Sequence, residues 1–390
     1  MTSNERFLTA LNKQAPDRLP VTTHHLMPSF LADYFGNKSM DEFFDHLGLD
    51  PITWEMAYTF NSGTGEYFDP AHQGELGFLE TRRISSDNWR FKIEEIPDPT
   101  YKTQRFIIQT PKGELTMRLQ SNKHTTWALD HLIKEKKDIE LIAEYMTFPI
   151  CDVSEINKRA DVWGQRGLFR GHICCFEGFG QPGTWQDAAC MVGIEKLIMA
   201  TFDDPQWVHE LLSILQKRKM HYIKSLKGAK YDLLELGGGD ASTTVISPDI
   251  FNEFVAPYDA PLIEAAHEAG QRIVYHTCGG MMPILEDIAA MKPDAMETFT
   301  PASMGGDVNL TEAKRRIGSK VCMIGGFDQF HFFTNCSPEE TRREVRRCFE
   351  AAGSNGGFIL SPSDHFFEAD MRLLEAFADE AKKCVYSNNF

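Results

Sequence analysis

The sequence predicts an α/β fold, a (β/α)8 TIM barrel with additional N-terminal elements. Strand-like and helix-like patterns alternate through residues 204–385 at the spacing of βα units, which calls for a parallel sheet with helical crossovers. The chain has 390 residues, a length that suits a closed barrel with extra elements better than an open sheet. Polar and metal-ligating side chains recur where the expected strands end, and a barrel gathers such ends on one rim. Residues 1–390 read as one domain, with an excursion at about 51–145.

Asn4–Lys13 has a helical pattern, and Ala15-Pro16-Asp17-Arg18 reads as a turn. Pro20–His25 reads as a short strand, followed by helices at Met27–Tyr34 and Met40–Leu47. In the excursion, Thr110-Pro111-Lys112-Gly113-Glu114 predicts a hairpin in which Gly113 supplies the backbone freedom of the turn, with Leu115–Leu119 as the second strand. Asp204-Pro205 opens a long helix to about Leu226, with Val208, Leu211, Leu212 and Leu215 at helical spacing. The basic run Lys217-Arg218-Lys219 within it reads as a solvated face.

Tyr231–Leu236 is the next strand, and Ser247-Pro248-Asp249 starts a helix with a cap, a first-turn proline and an acid near the positive end. Strands at 272–276, 294–299, 321–325 and 356–360 alternate with helices at 281–290, 310–316, 337–352 and 366–385. Ser337 and Glu340 form a capping box for the third of those helices.

The formal net charge is −16, which argues against a nucleic-acid surface. No apolar run reaches membrane-spanning length and the N-terminal residues lack an apolar signal core, so a cytoplasmic protein without a membrane partner is expected. The nine cysteines are odd in number and scattered, which predicts thiols rather than a disulfide framework.

Tyr275-His276-Thr277-Cys278-Gly279-Gly280 is the strongest chemical signal. Imidazole nitrogen and thiolate sulfur are zinc donors, and two glycines allow a bend that lets positions i and i+2 converge. Read as packing, the same pair is a buried thiol beside a hydrogen-bonded histidine. Glu297 ends the next strand as a carboxylate in an apolar run, a ligand or an ion-pair partner. Asp364 and His365 follow the last strand, where either completes a metal shell or Asp364 caps a helix. His24 and His25 follow the first strand; alternation turns one of them to the cavity as an acid, a base or an anion contact. Asp240, after Gly237-Gly238-Gly239, is a third catalytic candidate, and Gly238, Gly239 and Asp328 are candidate cofactor-contacting positions. Glu235 is also expected on this rim.

Several segments together resemble the uroporphyrinogen decarboxylase superfamily, which includes zinc-dependent corrinoid and coenzyme-M methyltransferases. They are Arg6-Phe-Leu-Thr-Ala-Leu11, Pro16-Asp17-Arg18-Leu-Pro20, Thr110–Glu114, Ser247–Pro257, Ala265–Gly270, His276-Thr-Cys278-Gly279, Gly325-Gly326-Phe327-Asp328 and Gly356–Pro362. The resemblance implies a (β/α)8 barrel with its cleft at the C-terminal rim. In the methyltransferase branch it implies zinc on the histidine and cysteine that match His276 and Cys278, a late cysteine, and an acid in the region of Glu297. This chain departs at the late cysteine, where Asp364 stands, or His365 if the register slips by one. The ligand set it implies here is therefore His276, Cys278, Glu297 and Asp364.

The function implied is a zinc-dependent methyltransferase acting on a small-molecule substrate, with a corrinoid protein or a small methyl donor as its partner. A homodimer fits the family. Two other readings are a metal-free, decarboxylase-like lyase on a small carboxylated substrate and a non-catalytic corrinoid or tetrapyrrole-binding protein. The metal-free decarboxylases bind an acidic tetrapyrrole with arginines near the first strand, and the His24-His25 pair stands there instead.

Overall fold

The computed structural model describes residues 1–70, 72, 75–76 and 79–386. Seven parallel strands form one curled sheet: β1 (Ile52–Trp54), β2 (Leu168–His172), β3 (Leu233–Gly237), β4 (Ile273–His276), β5 (Ala295–Thr298), β6 (Cys322–Phe327) and β7 (Phe358–Pro362). Each pairs in parallel with the next, so spatial order equals sequence order. β3 to β7 are buried along their whole length, as expected of strands covered on both faces. Helices Pro205–Ser225, Ala256–Glu268, Leu285–Ala290, Leu310–Ile317 and Pro338–Ala352 are the crossovers.

The predicted first strand, Pro20–His25, is reduced to a single parallel bridge between Val21 and Leu360 of β7. Leu360 N–H donates to the Pro20 carbonyl (2.9 Å) and Thr22 N–H to the Leu360 carbonyl (3.0 Å). On the other side Asp50 replaces a strand: its backbone N–H donates to the Val21 carbonyl at 2.8 Å, and its carboxylate accepts from Val21 N–H at 3.0 Å. Asp50 is fully buried and also receives Arg6 (2.7 Å) and both terminal nitrogens of Arg18 (2.8 and 2.9 Å). The result is a seven-stranded half-barrel with a side-chain seam where the prediction placed an eighth strand. A carboxylate can satisfy the N–H that a neighbouring strand would otherwise serve, so the seam needs no ladder.

The excursion contains a four-stranded antiparallel sheet in the order Thr126–Asp130, Gly113–Ser121, Lys102–Thr110, Arg90–Ile96. The expected hairpin is present, with Thr110 opposite Gly113. Gly113 lies outside the left-handed region, so the turn is made by Pro111 and Lys112 and not by glycine freedom.

Helix ends follow the expected chemistry. Thr2 with Glu5, and Ser337 with Glu340, form capping boxes, and Asp204 accepts from Trp207 N–H at 3.2 Å. The last helix begins at Met371, not 366, because Asp370 caps it (2.9 Å to Arg372 N–H) and Phe366 makes a parallel bridge to Leu26.

The basic run of the long helix contradicts its sequence reading. Arg218 and Lys219 are each 1% exposed, paired with Glu177 and with Asp187 (Lys219 Nζ, 2.9 Å). The helix packs its C-terminal half across the segment after β2, whose Cys174 and Cys175 carbonyls also accept from these cations (2.8 and 2.7 Å). Buried cations are admitted here because each has an anion and carbonyls to meet.

Candidate functional site

The site lies where β2 to β5 end. Parallel pairing places His276 beside both Gly237 and Glu297, and His172 beside Glu235. Gly237 has φ +108°, and an added Cβ would stand 2.3 Å from the His276 carbonyl oxygen, so only glycine lets the ends of β3 and β4 approach this closely. The turn after His276 is pinned donor by donor. Gly279 N–H donates to Thr300 Oγ1 (3.1 Å), Gly280 N–H to Thr244 Oγ1 (2.7 Å) and Met281 N–H to Asp307 (2.8 Å).

Four buried residues converge. One donor atom each from His24, Glu235, His276 and Glu297 lies within 4.8 Å of the others. His276 Nδ1 stands 3.3 Å from Glu297 Oε1 and 4.0 Å from Glu235 Oε2, and His24 Nδ1 stands 3.9 Å from Glu297 Oε2. The His24 and His276 rings stack at 5.1 Å. Arg170 of β2 reaches the same carboxylates, with Nη2 at 2.8 Å and Nη1 at 3.2 Å from Glu297, and Nη2 at 3.5 Å from Glu235. Its guanidinium lies over the Trp54 ring at 4.2 Å.

A second group shares His24, which lies within 4.8 Å of Asp364 and His365. His365 Nδ1 is 2.9 Å from Asp364. His25 packs against His24 (4.2 Å), Trp54 (4.4 Å) and His365 (5.9 Å).

Burial and charge divide the protonation states. Burial opposes a charge on His276, but the Glu235 carboxylate and hydrogen bonds with Cys278 and Glu297 outweigh it, and its pKa lies well above the ordinary histidine value. Burial lowers His24 to about 3, overriding Glu297, and lowers His25 as well. Glu235 is pushed up to about 7 by burial, against the pull of His276. Glu297 also resists ionisation through burial, yet Arg170, His24 and His276 hold it well below the usual carboxylate range. At neutral pH the site therefore holds an anionic Glu297 beside a cationic His276, a neutral His24 and a Glu235 able to give or take a proton.

Of the predicted ligands, His276 and Glu297 stand in the first group and Asp364 in the second. Cys278 contacts His276 and packs against Gly239, where an added Cβ would lie 2.7 Å from its sulfur. It belongs to neither group of converging donors, so the four predicted ligands do not form one cluster. Asp240 is held by Gln186, through its carboxylate (2.7 Å) and its backbone N–H (2.6 Å). Gly238 packs on the Gln186 side chain. Asp328 caps the short helix Gln329–Phe332 through His331 N–H (3.0 Å) and accepts from Ser303 Oγ at 2.6 Å.

Sequence reasoning missed Arg170 and Trp54, whose strands β2 and β1 went unread. The available signal was an arginine inside the apolar run Leu168-Phe169-Arg170.

The family model described as Uroporphyrinogen decarboxylase (URO-D) matches residues 180–383, just over half of the chain. The chain belongs to the uroporphyrinogen decarboxylase family. That match contains Glu235, His276 and Glu297, while His24 and Arg170 lie before it. The uroporphyrinogen decarboxylase of Alcanivorax borkumensis is 25% identical over 377 residues, covering 92% of this chain and 90% of that protein. The enzymes of that name from Pseudoalteromonas translucida (27% identity, 43% of this chain) and Aliivibrio salmonicida (28% identity, 48% of this chain) are matched over only 45% and 52% of their own length. Among solved structures, a methyltransferase from Methanosarcina mazei superposes with a TM-score of 0.63 at 14% identity, covering 98% of this chain and 99% of that one. This last likeness is one of fold. These relatives matched in sequence are all named uroporphyrinogen decarboxylases. No helix among the described residues is long and apolar enough to cross a membrane.

The donor set tests the zinc that the methyltransferase branch implies. Two imidazoles and two carboxylates, buried and mutually close, are a donor set that zinc accepts. His24 is neutral, the form that ligates. Glu297 also accepts from Arg170 at 2.8 Å, so an ion there would share that carboxylate with a fixed cation. The residues fit a divalent ion with a nitrogen and oxygen shell rather than a thiolate-rich one.

Proposed function

We propose that this chain is a zinc-dependent methyltransferase of the uroporphyrinogen decarboxylase family, with His24, Glu235, His276 and Glu297 as its metal-binding group. One observation carries the reading: four buried donors converge, one each from β3, β4, β5 and the segment after Val21. In this reading the Val21 seam stands for the eighth stave of a (β/α)8 barrel. Zinc there would supply Lewis acidity, keeping a bound thiol or hydroxyl deprotonated near neutral pH. Glu235, raised to about 7 by burial in the metal-free protein, would have to release its proton to become a ligand. His276 would likewise give up a proton to become a ligand, so binding would be coupled to pH. Asp364 and His365, beside His24 and part-exposed, would contact a substrate approaching from solvent. The methyl group would come from a corrinoid protein or a small donor, and transfer to the nucleophile leaves the donor one methyl poorer.

The test is metal analysis of purified protein with thiol methylation as the assay. Stoichiometric zinc, lost together with turnover in His276→Ala, supports the reading. A metal-free wild type whose His276→Ala variant turns over normally overturns it.

Arg170 favours a second reading, a metal-free lyase on a small carboxylated substrate. Arg170 with Glu297 and His276 with Glu235 balance charge without an ion. Loss of carbon dioxide leaves an electron pair on carbon, and Glu235 beside cationic His276 can protonate it. Carbon dioxide release that persists in a strong chelator would select this reading over the first.

A further inference from the structure

Arg170 is 2% exposed, in the middle of β2. Its face rests on Trp54, and its terminal nitrogens lie across Glu297 and Glu235, two of the four converging donors. A guanidinium stays charged at every accessible pH and matches a carboxylate with two parallel bonds. Its Nε is buried without a protein partner, so the group keeps one donor for a replacement acceptor if Glu297 turns towards something else.

We infer that Arg170 is a built-in competitor for the metal site, a fixed cation that holds Glu297 and Glu235 in the metal-free protein and sets how tightly an ion binds. The inference rests on the metal reading above and adds to it the residue that limits affinity. Two cations sharing the same buried carboxylate oxygens repel, and the low local dielectric enlarges that repulsion. An incoming ion must therefore either displace guanidinium bonds or accept a carboxylate whose charge is already partly spent. Trp54 keeps the guanidinium from withdrawing, because the indole and the carboxylate hold it on two sides.

The opposite role has the opposite sign. A partner that merely orients a metal-binding carboxylate strengthens binding, and its loss weakens affinity by roughly 10–100-fold. A competitor's loss strengthens it. The experiment measures zinc affinity of the full-length protein by competition with a chromophoric chelator, for wild type, Arg170→Met and Arg170→Lys. Cobalt(II) absorption reports the ligand shell, and thermal unfolding checks the fold. Arg170→Met is expected to bind zinc tighter by roughly tenfold or more. Arg170→Lys should tighten it less, since an ammonium keeps the charge but cannot span both oxygens. If Arg170→Met does not fold, Arg170→Lys decides alone by the sign of its change. Equal or weaker zinc binding in the variants, with zinc still bound by wild type, overturns the inference and leaves the metal reading standing. Zinc bound by none of the three proteins removes the metal reading, and the inference falls with it.

Discussion

At the seam beside Val21, Asp50 is enclosed by Arg6, Arg18, Ser3 and a backbone N–H, so two cations and two neutral donors meet one carboxylate. At the rim the ratio inverts: one arginine serves two glutamates, while two histidines in opposite protonation states crowd the same oxygens. Both regions are buried and both use arginine on carboxylate. The difference is surplus. The seam has more donors than its anion needs and can only hold the chain together. The rim has more acceptors and lone pairs than its single fixed cation satisfies, and that excess is what can bind an ion or move a proton.

The largest effect should appear at the rim. His276→Ala removes the group that touches both glutamates, and turnover is expected to fall by about 10²–10⁴-fold. The thermal midpoint should move less than in any Asp50 variant, which separates lost chemistry from lost folding. A His276→Ala enzyme with wild-type kcat/KM would erase the distinction between the two regions.

Asp50→Ala tests the other side. It strips the buried anion from two arginines, leaving Arg18 without its carboxylate and Arg6 with Asp17 alone (2.7 and 2.9 Å), at a cost of about 3 kcal/mol. Chemical denaturation should show that loss, with activity per folded molecule retained. A loss below about 1 kcal/mol would mean that solvent serves Arg18 and Asp17 suffices for Arg6, and the seam would not be what closes the half-barrel.

The two regions also differed in how far the sequence revealed them. β3 to β7 were legible because strand–helix alternation is a local pattern that survives packing, and Ser337-Pro338-Glu339-Glu340 capped its helix as read. His276, Glu297 and Asp364 stood at strand ends because that placement follows from the alternation. The convergence of His24 with Glu235 was not legible, since it depends on how far the sheet curls. β1 and β2 are three and five residues long, too short for periodicity to mark, and Arg170 and Trp54 went unseen with them. The eighth strand failed for a related reason: a run that reads as a strand forms no ladder when a side chain such as Asp50 does the neighbour's work. Lys217-Arg218-Lys219 failed because charge in sequence does not reveal a buried partner 30 or more residues away.

Titration separates the regions in pH. Beside the seam, exposed Asp17 accepts from Arg6 Nε at 2.7 Å, and that hydrogen bond is the first cause that holds its carboxylate below its ordinary value. That stability is complete above pH ~4 and disappears only as acid protonates the folded carboxylate. At the rim of the metal-free protein, Glu235 is raised from 4.5 to about 7 by burial. The folded state then holds a proton that the unfolded chain has released, so this contribution is full below pH ~4.5 and is lost as pH rises through 7. His24, lowered by burial to about 3, has the reverse sign: its unfolded ring gains a proton below ~6.5 and stability falls with acid. Between pH ~4.5 and ~6.5 the two slopes oppose. Glu235→Gln should remove the falling slope, so that stability climbs with pH more steeply than in wild type by up to ~1.4 kcal/mol per unit in that window. Parallel profiles for wild type and variant, measured by urea denaturation across pH 4–8, would mean that Glu235 ionises normally.

The smallest expected effect comes from one substitution made at the seam. Arg18→Lys keeps the charge beside Asp50 but replaces two bonds, at 2.8 and 2.9 Å, with one point contact. Arg6 and Val21 N–H still serve the carboxylate, and Arg18 is part-exposed, with 19% of its side chain accessible. The loss should therefore be about 1.5 kcal/mol, the lower end for one hydrogen bond to a charged group. The same change at Arg170 has no second arginine behind it among the described residues, and its effect should appear in metal affinity before it appears in stability. If Arg18→Lys instead costs as much as Asp50→Ala, the seam has no surplus of donors, and the contrast with the rim rests on burial alone.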